Sequence, residues 1–158
     1  MEWIPTFEKA TRPYGGLTYR IGHRLVDDYL EFASWRARPN TVRAYAYDLL
    51  VFIRVVGKEP TEVTTKDVLD FIVAQRRPRS GVENVVRISD GGSGLSAATI
   101  KRRLAAVSSF YGYLLTRGEG GVSENPVPKG GWVRNPVAIS QQCELNAGWG
   151  VIGRTLIR

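Results

Sequence analysis

The sequence predicts an all-α protein in which four helices lie between irregular N- and C-terminal arms. Two observations support this fold class. Apolar residues recur every three or four positions in four separate segments, as they do along the buried side of an amphipathic helix. No segment of useful length alternates apolar and polar residues as a half-buried strand would. A chain of 158 residues is long enough to form one domain with its own hydrophobic core.

The N-terminal part of the chain predicts an irregular arm followed by a first helix. Residues 1–21 contain two prolines and the pair Gly15-Gly16 without a clear apolar period, which is typical of irregular structure. From about Arg24 to Arg36, apolar residues recur at helical spacing and predict the first helix. Pro39 then ends it, because a proline inside a helix removes a backbone hydrogen bond.

A second helix is predicted to reach about Val56. Asn40 or Thr41 is suited to cap its start, and Gly57 is a typical stop. Its apolar stripe, which we expect to be buried, consists of Val42, Tyr45, Ala46, Leu49, Ile53 and Val56. A different face of the same helix carries Arg43, Tyr47 and Arg54.

The third helix is predicted to begin at Thr64 and to run to about Gln75. Asp67 stands three residues after Thr64, which is the spacing of a capping box with the shorter acid. The stretch from Arg76 to Gly94 is rich in glycine and serine and predicts a long loop, a class that is usually functional or mobile.

Ser96 is suited to cap a fourth and longest helix that reaches about Arg117. Its expected core stripe consists of Ile100, Leu104, Val107, Phe110, Tyr111 and Leu114. Lys101 and Arg102 project away from that stripe, among small side chains that would let a bulky partner approach the helix closely. Residues 118–121 end the helix, and residues 125–128 predict an extended exit.

The charge of the chain favours a polyanionic partner. The formal net charge is +7, and residues 96–117 carry four basic side chains with no acidic one. No apolar run approaches the ~20 residues that span a bilayer. The N-terminus lacks the charged and apolar segments of a signal peptide, so we expect a cytoplasmic protein without a membrane partner.

The sequence offers no self-sufficient catalytic or metal site. It contains one cysteine, Cys143, and one histidine, His23, which excludes most zinc sites and hydrolase triads. Asp27 and Asp28 are neighbours that point about 100° apart on a helix and cannot share a site. We therefore predict no catalytic residue, no metal, no cofactor and no small-molecule substrate.

Two basic sets of side chains are the positive signal. Lys101 and Arg102 lie near a helix N-terminus with Thr99, where side chains and free backbone N–H groups suit phosphate contacts. Arg43 and Tyr47, with Thr41, form a similar set on the second helix. Charge alone leaves the alternative open that both sets form an ordinary solvated face.

Three sequence blocks resemble the core-binding domain of tyrosine recombinases, the phage-integrase family. The first runs from Pro39 to Leu49 (PNTVRAYAYDL) and is followed by Phe52; the second is residues 64–68 (TTKDV). The third runs from Leu95 to Val107 (LSAATIKRRLAAV), followed by Phe110-Tyr111 and Asn125-Pro126-Val127. The resemblance covers roughly residues 22–128, and the order and spacing of the blocks together make it fairly specific.

The resemblance implies a four-helix, SAM-like core-binding domain over residues 22–128 that packs on one side of duplex DNA. In that family the second and fourth helices face the major groove and the adjacent phosphates. The residues implied to contact DNA are Thr41, Arg43, Ala44, Tyr47, Ala98, Thr99, Lys101 and Arg102. Arg103 lies nearer the expected core and is a weaker candidate. The implied partners are a recombination half-site and a full-length recombinase protomer.

The same family places its nucleophilic tyrosine and its other catalytic groups in a separate C-terminal domain. Residues 129–158 do not resemble that domain, so we expect a divergent or disordered tail and a truncated protein that binds DNA without cutting it. Tyr111 and Tyr113 are not candidates for the nucleophile, because both lie on the fourth helix. Two alternatives remain at this point: a helical protein-interaction module and a non-functional gene remnant.

Overall fold

A computed structural model describes residues 3–77 and 94–129. Two short strands come first, β1 (Glu8–Thr11) and β2 (Leu17–Arg20), and are followed by four helices. The helices are α1 (Arg24–Ser34), α2 (Pro39–Val56), α3 (Thr65–Arg76) and α4 (Ala97–Arg117), with a 3-10 turn at Pro60–Glu62 between α2 and α3. The chain divides into two compact units, Met1–Pro128 and Lys129–Arg158, and these elements belong to the first. Most of the predicted 76–94 loop and nearly all of the predicted tail lie outside the described residues.

The four helices agree with the prediction. The predicted all-α class and irregular N-terminal arm are wrong in that the arm contains two strands. β1 and β2 form an antiparallel hairpin in which Lys9 pairs with Tyr19 and Thr11 with Leu17. Gly15 and Gly16 have positive φ angles of 86° and 92°, which suits them to the tight turn between the strands. Each strand has only four residues, too few for a period of two to stand out in the sequence.

The hairpin is packed against the helices. Thr18, Tyr19 and Ile21 are almost completely buried. The Arg12 guanidinium donates a hydrogen bond of 3.1 Å to the carbonyl of Ser34 at the end of α1, and it lies 4.3 Å from the ring centroid of Trp35. The arm is therefore part of the same folded unit as the helices.

Helices α1 and α2 depart from their predicted bounds by two or three residues. α1 ends at Ser34, and the next two N–H groups bond three residues back in a tighter turn. α2 begins at Pro39 rather than after a cap at Asn40 or Thr41, because proline suits the first helical position, where its missing N–H is not needed. Gly57 ends α2 with a positive φ of 65°, as predicted.

The predicted caps of α3 and α4 are confirmed. Thr64 and Asp67 form a reciprocal capping box, in which Asp67 Oδ2 accepts the Thr64 N–H at 2.8 Å. Ser96 Oγ accepts the Thr99 N–H at 3.3 Å and caps α4. Both helices start at the predicted place because local side-chain chemistry, available in the sequence, fixes their first turn.

Aromatic side chains join the helices at the core. Phe52 of α2 meets Phe71 of α3 edge-on, with ring centroids 5.0 Å apart. Tyr29 of α1 contacts Phe110 of α4 at 5.6 Å and donates a hydrogen bond of 2.9 Å to Ser109 Oγ. Two members of the predicted α2 stripe, Tyr45 and Val56, are only half-buried; the others are buried. The core leaves the opposite sides of α2 and α4 available to solvent. No described helix is long and apolar enough to cross a membrane.

Acid should remove the stabilisation that Asp67 provides. Partial burial raises the pKa of its carboxyl, but hydrogen bonds from Lys58 and Thr64 outweigh that effect and bring the pKa down to about 2. A pKa below the unfolded value of 3.8 means that the stabilisation is complete above pH 3.8 and is lost as the pH falls from about 4 to 2. Allowing for solvent screening, we expect a loss of about 1 kcal/mol.

The measurement is the free energy of unfolding of the wild-type chain minus that of Asp67→Asn, between pH 6 and about pH 2. This difference should shrink as the pH falls below 4. Asp70→Asn is the matched control, because its carboxylate pairs with Lys66 at 2.8 Å on the exposed side of the same helix but does not cap it. A wild-type minus Asp67→Asn difference that stays constant over this range would contradict the assignment.

Candidate nucleic-acid interface

The outward face of α2 carries the side chains that the sequence nominated. Arg43 is exposed and Tyr47 is 54% exposed, while Thr41 and Ala44 are half-buried. They stand apart from the buried stripe because 3.6 residues make one turn of the helix. Arg43 and Tyr47 are four residues apart, so they are neighbours on the same side of α2.

Tyr47 is supported by the N-terminal hairpin. Its ring lies 6.4 Å from that of Phe7 in an edge-on arrangement, and Phe7 in turn lies 5.4 Å from Tyr19 of β2. Phe7 was not predicted as part of the site, because its contact with Tyr47 joins residues forty positions apart. The arm that the sequence left irregular therefore forms one border of the α2 face.

The first turns of α4 carry the second nominated set. Ala98 and Lys101 are exposed, and Thr99 is half-buried with its hydroxyl 3.0 Å from that of Ser96. The backbone N–H groups of this first turn add partial positive charge at the helix N-terminus, and that of Thr99 is bonded to Ser96 Oγ at 3.3 Å. This end of α4 can therefore bind a phosphate through the exposed Lys101 side chain and through the partial positive charge of the helix N-terminus.

Arg102 differs from Lys101 because it is paired within the protein. Its Nη1 atom lies 2.8 Å from Oδ2 of Asp48 on α2, while half of the Arg102 side chain remains exposed. Asp48 itself is completely buried. The structure therefore presents Arg102 at the surface with one side of its guanidinium held by a carboxylate beneath it.

Arg103 completes this buried cluster, in agreement with its predicted position nearer the core. It is 8% exposed, and its Nε atom lies 3.6 Å from Oδ1 of Asp48. Its Nη1 also donates a hydrogen bond to Oε1 of Gln75 on α3. One carboxylate thus links two arginines of α4 to α2, and the inner arginine reaches on to α3.

The electrostatics of the cluster follow from burial and pairing. Burial raises the pKa of Asp48, and the positive charges of Arg102 and Arg103 oppose this shift without cancelling it. Two guanidinium groups share one carboxylate, so the ionised cluster keeps a net charge of +1. Of the two guanidinium groups, only that of Arg102 reaches the surface, because Arg103 is buried.

Asp48 was missed as a site residue, although the sequence carried a signal for it. It precedes Leu49 of the apolar stripe and lies one turn after Ala44, so it stands at the border between the outward face of α2 and the buried stripe. A buried carboxylate needs a cation beside it. Arg102 and Arg103 were candidates for that cation, because their own helix carries no acidic side chain to pair with them. Only the packing of α2 on α4 shows that they meet.

The Asp48–Arg102 pair joins the two helices that carry the nominated sets. Ala44 lies one turn before Asp48 on α2, and Thr41 lies one further turn back. The start of α4 therefore runs beside the side of α2 that carries Asp48, Ala44 and Thr41, whereas Arg43 and Tyr47 lie further round the helix. We call the nominated residues of the two helices, with Arg43, Lys101 and Arg102 as their cations, the α2–α4 face.

No group of three His, Cys, Asp or Glu side chains among the described residues could hold a metal ion. Tyr111 is buried, donates a hydrogen bond of 2.8 Å to the carbonyl of Pro60, and has a pKa raised by burial, so it is a structural residue. His23 precedes α1 and lies 3.0 Å from a carboxylate oxygen of Glu59.

Comparisons with known proteins agree on one family. Residues 26–118 match the model of the phage integrase N-terminal SAM-like domain. Over 113 residues the chain is 31% identical to the tyrosine recombinase XerC of Caldanaerobacter subterraneus, a match that covers 65% of this chain and 31% of the relative. Over 108 residues it is 30% identical to a tyrosine recombinase of Thermosipho africanus, covering 66% of this chain and 32% of that protein.

The matches have a limited extent. The chain spans about a third of the length of these recombinases. The part that matches is their N-terminal SAM-like domain; the catalytic domain is not matched. No solved structure matches the chain significantly.

Proposed function

The chain belongs to the phage integrase N-terminal SAM-like family, as the sequence blocks predicted, and on that premise we propose that it binds duplex DNA at a recombination half-site through the α2–α4 face. One observation carries the proposal: both nominated helices expose cationic side chains away from the core, Arg43 on α2 with Lys101 and Arg102 on α4. Arg43 and Lys101 supply phosphate contacts, the exposed Tyr47 supplies a hydroxyl for the same purpose, and the small side chains of Ala44 and Ala98 allow the helices to approach the DNA closely.

Binding by this face alone is expected to be weak and dominated by salt-dependent phosphate contacts. Its affinity should fall in the non-specific range of about 10⁻⁴–10⁻⁶ M at physiological salt. Strand cleavage belongs to a separate domain in the family that the sequence resembles, so we expect the 158-residue polypeptide to bind without cutting. The protein partner that we propose is a full-length recombinase that recognises the same half-site. This chain and the full-length recombinase would then compete for the DNA.

Fluorescence anisotropy of the 158-residue chain with a labelled duplex, measured over about 50–200 mM salt, tests the proposal. Alanine at Lys101 or at Arg43 should each reduce the slope of log affinity against log salt by about 0.9, because each removes one phosphate contact. The double variant should lose about twice as much.

Lys66→Ala is the matched control. It removes one positive charge from an exposed side chain near the start of α3, about 14 Å of helix away from Gln75, the α3 residue that meets Arg103. The slope should stay unchanged in this variant. Equal slopes in all variants, or no binding by folded protein at about 50 mM salt, would overturn the proposal and favour a protein-interaction module.

A further inference from the structure

The two exposed cations at the start of α4, Lys101 and Arg102, differ in their contacts within the protein. Lys101 is exposed, and no ion pair to it is present among the residues that the structure describes. Arg102 is half-exposed and has Nη1 2.8 Å from the buried Oδ2 of Asp48. An electrostatic contact with phosphate gains nothing from such a carboxylate, because its negative charge opposes the approach of another anion. The carboxylate behind Arg102 therefore needs a different explanation.

The carboxylate is itself fixed from inside the protein. Oδ1 of Asp48 lies 3.6 Å from Nε of the buried Arg103, and Arg103 is hydrogen-bonded to Gln75 of α3. Three helices therefore determine where Oδ2 points. Since Oδ2 lies 2.8 Å from Nη1 of Arg102, the fold restrains the exposed guanidinium at this end.

A fixed guanidinium is what recognition of a base edge needs. Guanine offers two acceptors, O6 and N7, in the major groove, and an arginine reads them with two parallel N–H donors. The bond is geometrically demanding, and pre-orienting the donors reduces the side-chain entropy lost on binding. A phosphate contact needs no such pre-orientation, because it depends mainly on charge, and an exposed lysine such as Lys101 can supply it.

We infer that Asp48 is a positioning residue that presents Arg102 to a guanine edge in the major groove, while the neighbouring Lys101 neutralises phosphate. The inference rests on the proposed DNA-binding function and assigns different roles to adjacent residues of the α2–α4 face. It also assigns a role in DNA recognition to a buried residue that cannot itself touch DNA.

Selection from a pool of duplexes tests the inference. The probe is a duplex of about 30 base pairs with a randomised centre, bound by the 158-residue chain and sequenced after recovery. The wild-type chain should enrich guanine at one position by about 5- to 150-fold over the other bases. Asp48→Asn should lose most of this enrichment, because the neutral amide holds the guanidinium less firmly.

A second readout separates positioning from a merely structural role. Asp48→Asn removes one negative charge from beneath the face and so raises its net charge by one. The affinity of this variant for a duplex of fixed, unselected sequence should therefore be equal to or higher than that of the wild type. Unfolding would instead weaken both enrichment and affinity. Arg102→Lys keeps the charge but lacks the two-pronged donor, so it should lose the enrichment with an unchanged salt slope. Lys101→Ala, the matched control, should keep the enrichment and lose about 0.9 of the slope.

The inference fails if the wild-type chain enriches no guanine, or if Asp48→Asn enriches it as strongly as the wild type. If Asp48→Asn shows no cooperative thermal transition, Arg102→Lys decides: retained enrichment contradicts the base contact, and lost enrichment with an intact slope supports it. Absence of any duplex binding by the wild type would be a failure of the proposed function itself. Binding that depends on Lys101 but shows no guanine enrichment would leave that function intact and overturn only the role of Asp48.

Discussion

Alanine at Arg103 should destabilise the protein by about 3 kcal/mol, because it breaks the buried cluster beneath the α2–α4 face. The variant leaves the completely buried Asp48 with only its outer partner, Arg102, and removes the donor to Gln75. Removing one member of a buried ion pair is costly because the remaining charge keeps its desolvation penalty without its full compensation.

Urea unfolding at pH 7 measures this effect, with Arg102→Ala as the matched control. Arg102 pairs with the same carboxylate but is half-exposed, so its removal should cost only about 1 kcal/mol. The double variant Asp48→Asn/Arg103→Ala should be less destabilised than the sum of its single variants, because the uncompensated charge is gone. Equal losses at Arg102 and Arg103 would show that the inner pair has no special role.

The second large effect is expected in the N-terminal arm. Ile21 follows β2 and is completely buried, so Ile21→Ala should lower the free energy of unfolding by about 2–4 kcal/mol through the cavity that it leaves. The backbone contacts of Ile21, from its N–H to Asp27 Oδ1 at 2.7 Å and from its carbonyl to the Thr6 N–H at 3.1 Å, do not depend on the side chain. The loss therefore reports on packing alone.

A thermal transition followed by circular dichroism gives the measurement. We expect the midpoint to fall by about 10 °C. Ile4→Ala is the control, since Ile4 is 73% exposed in the same arm and its truncation should stay within about 0.5 kcal/mol of wild type. An Ile21→Ala midpoint equal to that of the control would mean that the arm is dispensable for the fold.

The arm also matters for the interface. Phe7 packs between Tyr19 of the hairpin and the exposed Tyr47 of α2. Arg54, further along α2, donates a hydrogen bond of 2.8 Å to the carbonyl of Pro5. Two contacts thus connect the N-terminal segment to the helix that carries Arg43 and Tyr47. Loosening the hairpin should therefore affect the orientation of Tyr47 as well as stability.

Much of the helical framework could be predicted because it depends on local chemistry. Thr64 with Asp67, and Ser96 with Thr99, form caps between residues three positions apart, and such spacing is visible in the sequence. The core stripes followed from the helical period, which also separated the outward residues, such as Arg43 and Lys101, from the core. The sequence blocks that resemble tyrosine recombinases led to the family that the comparisons then showed.

What the tertiary structure alone decided depends on contacts between distant residues. The hairpin was missed because strands of four residues carry little periodic signal, and its stability comes from burying Thr18, Tyr19 and Ile21 against helices that follow it. Likewise, Arg102 looked equivalent to its neighbour Lys101 until α2 placed the buried Asp48 beneath it. The sequence by itself determined the helices, their outward faces and the family. The packing of α2 on α4 determined that Arg102 pairs with a buried carboxylate while Lys101 is exposed to solvent, because the contact joins residues far apart in the sequence.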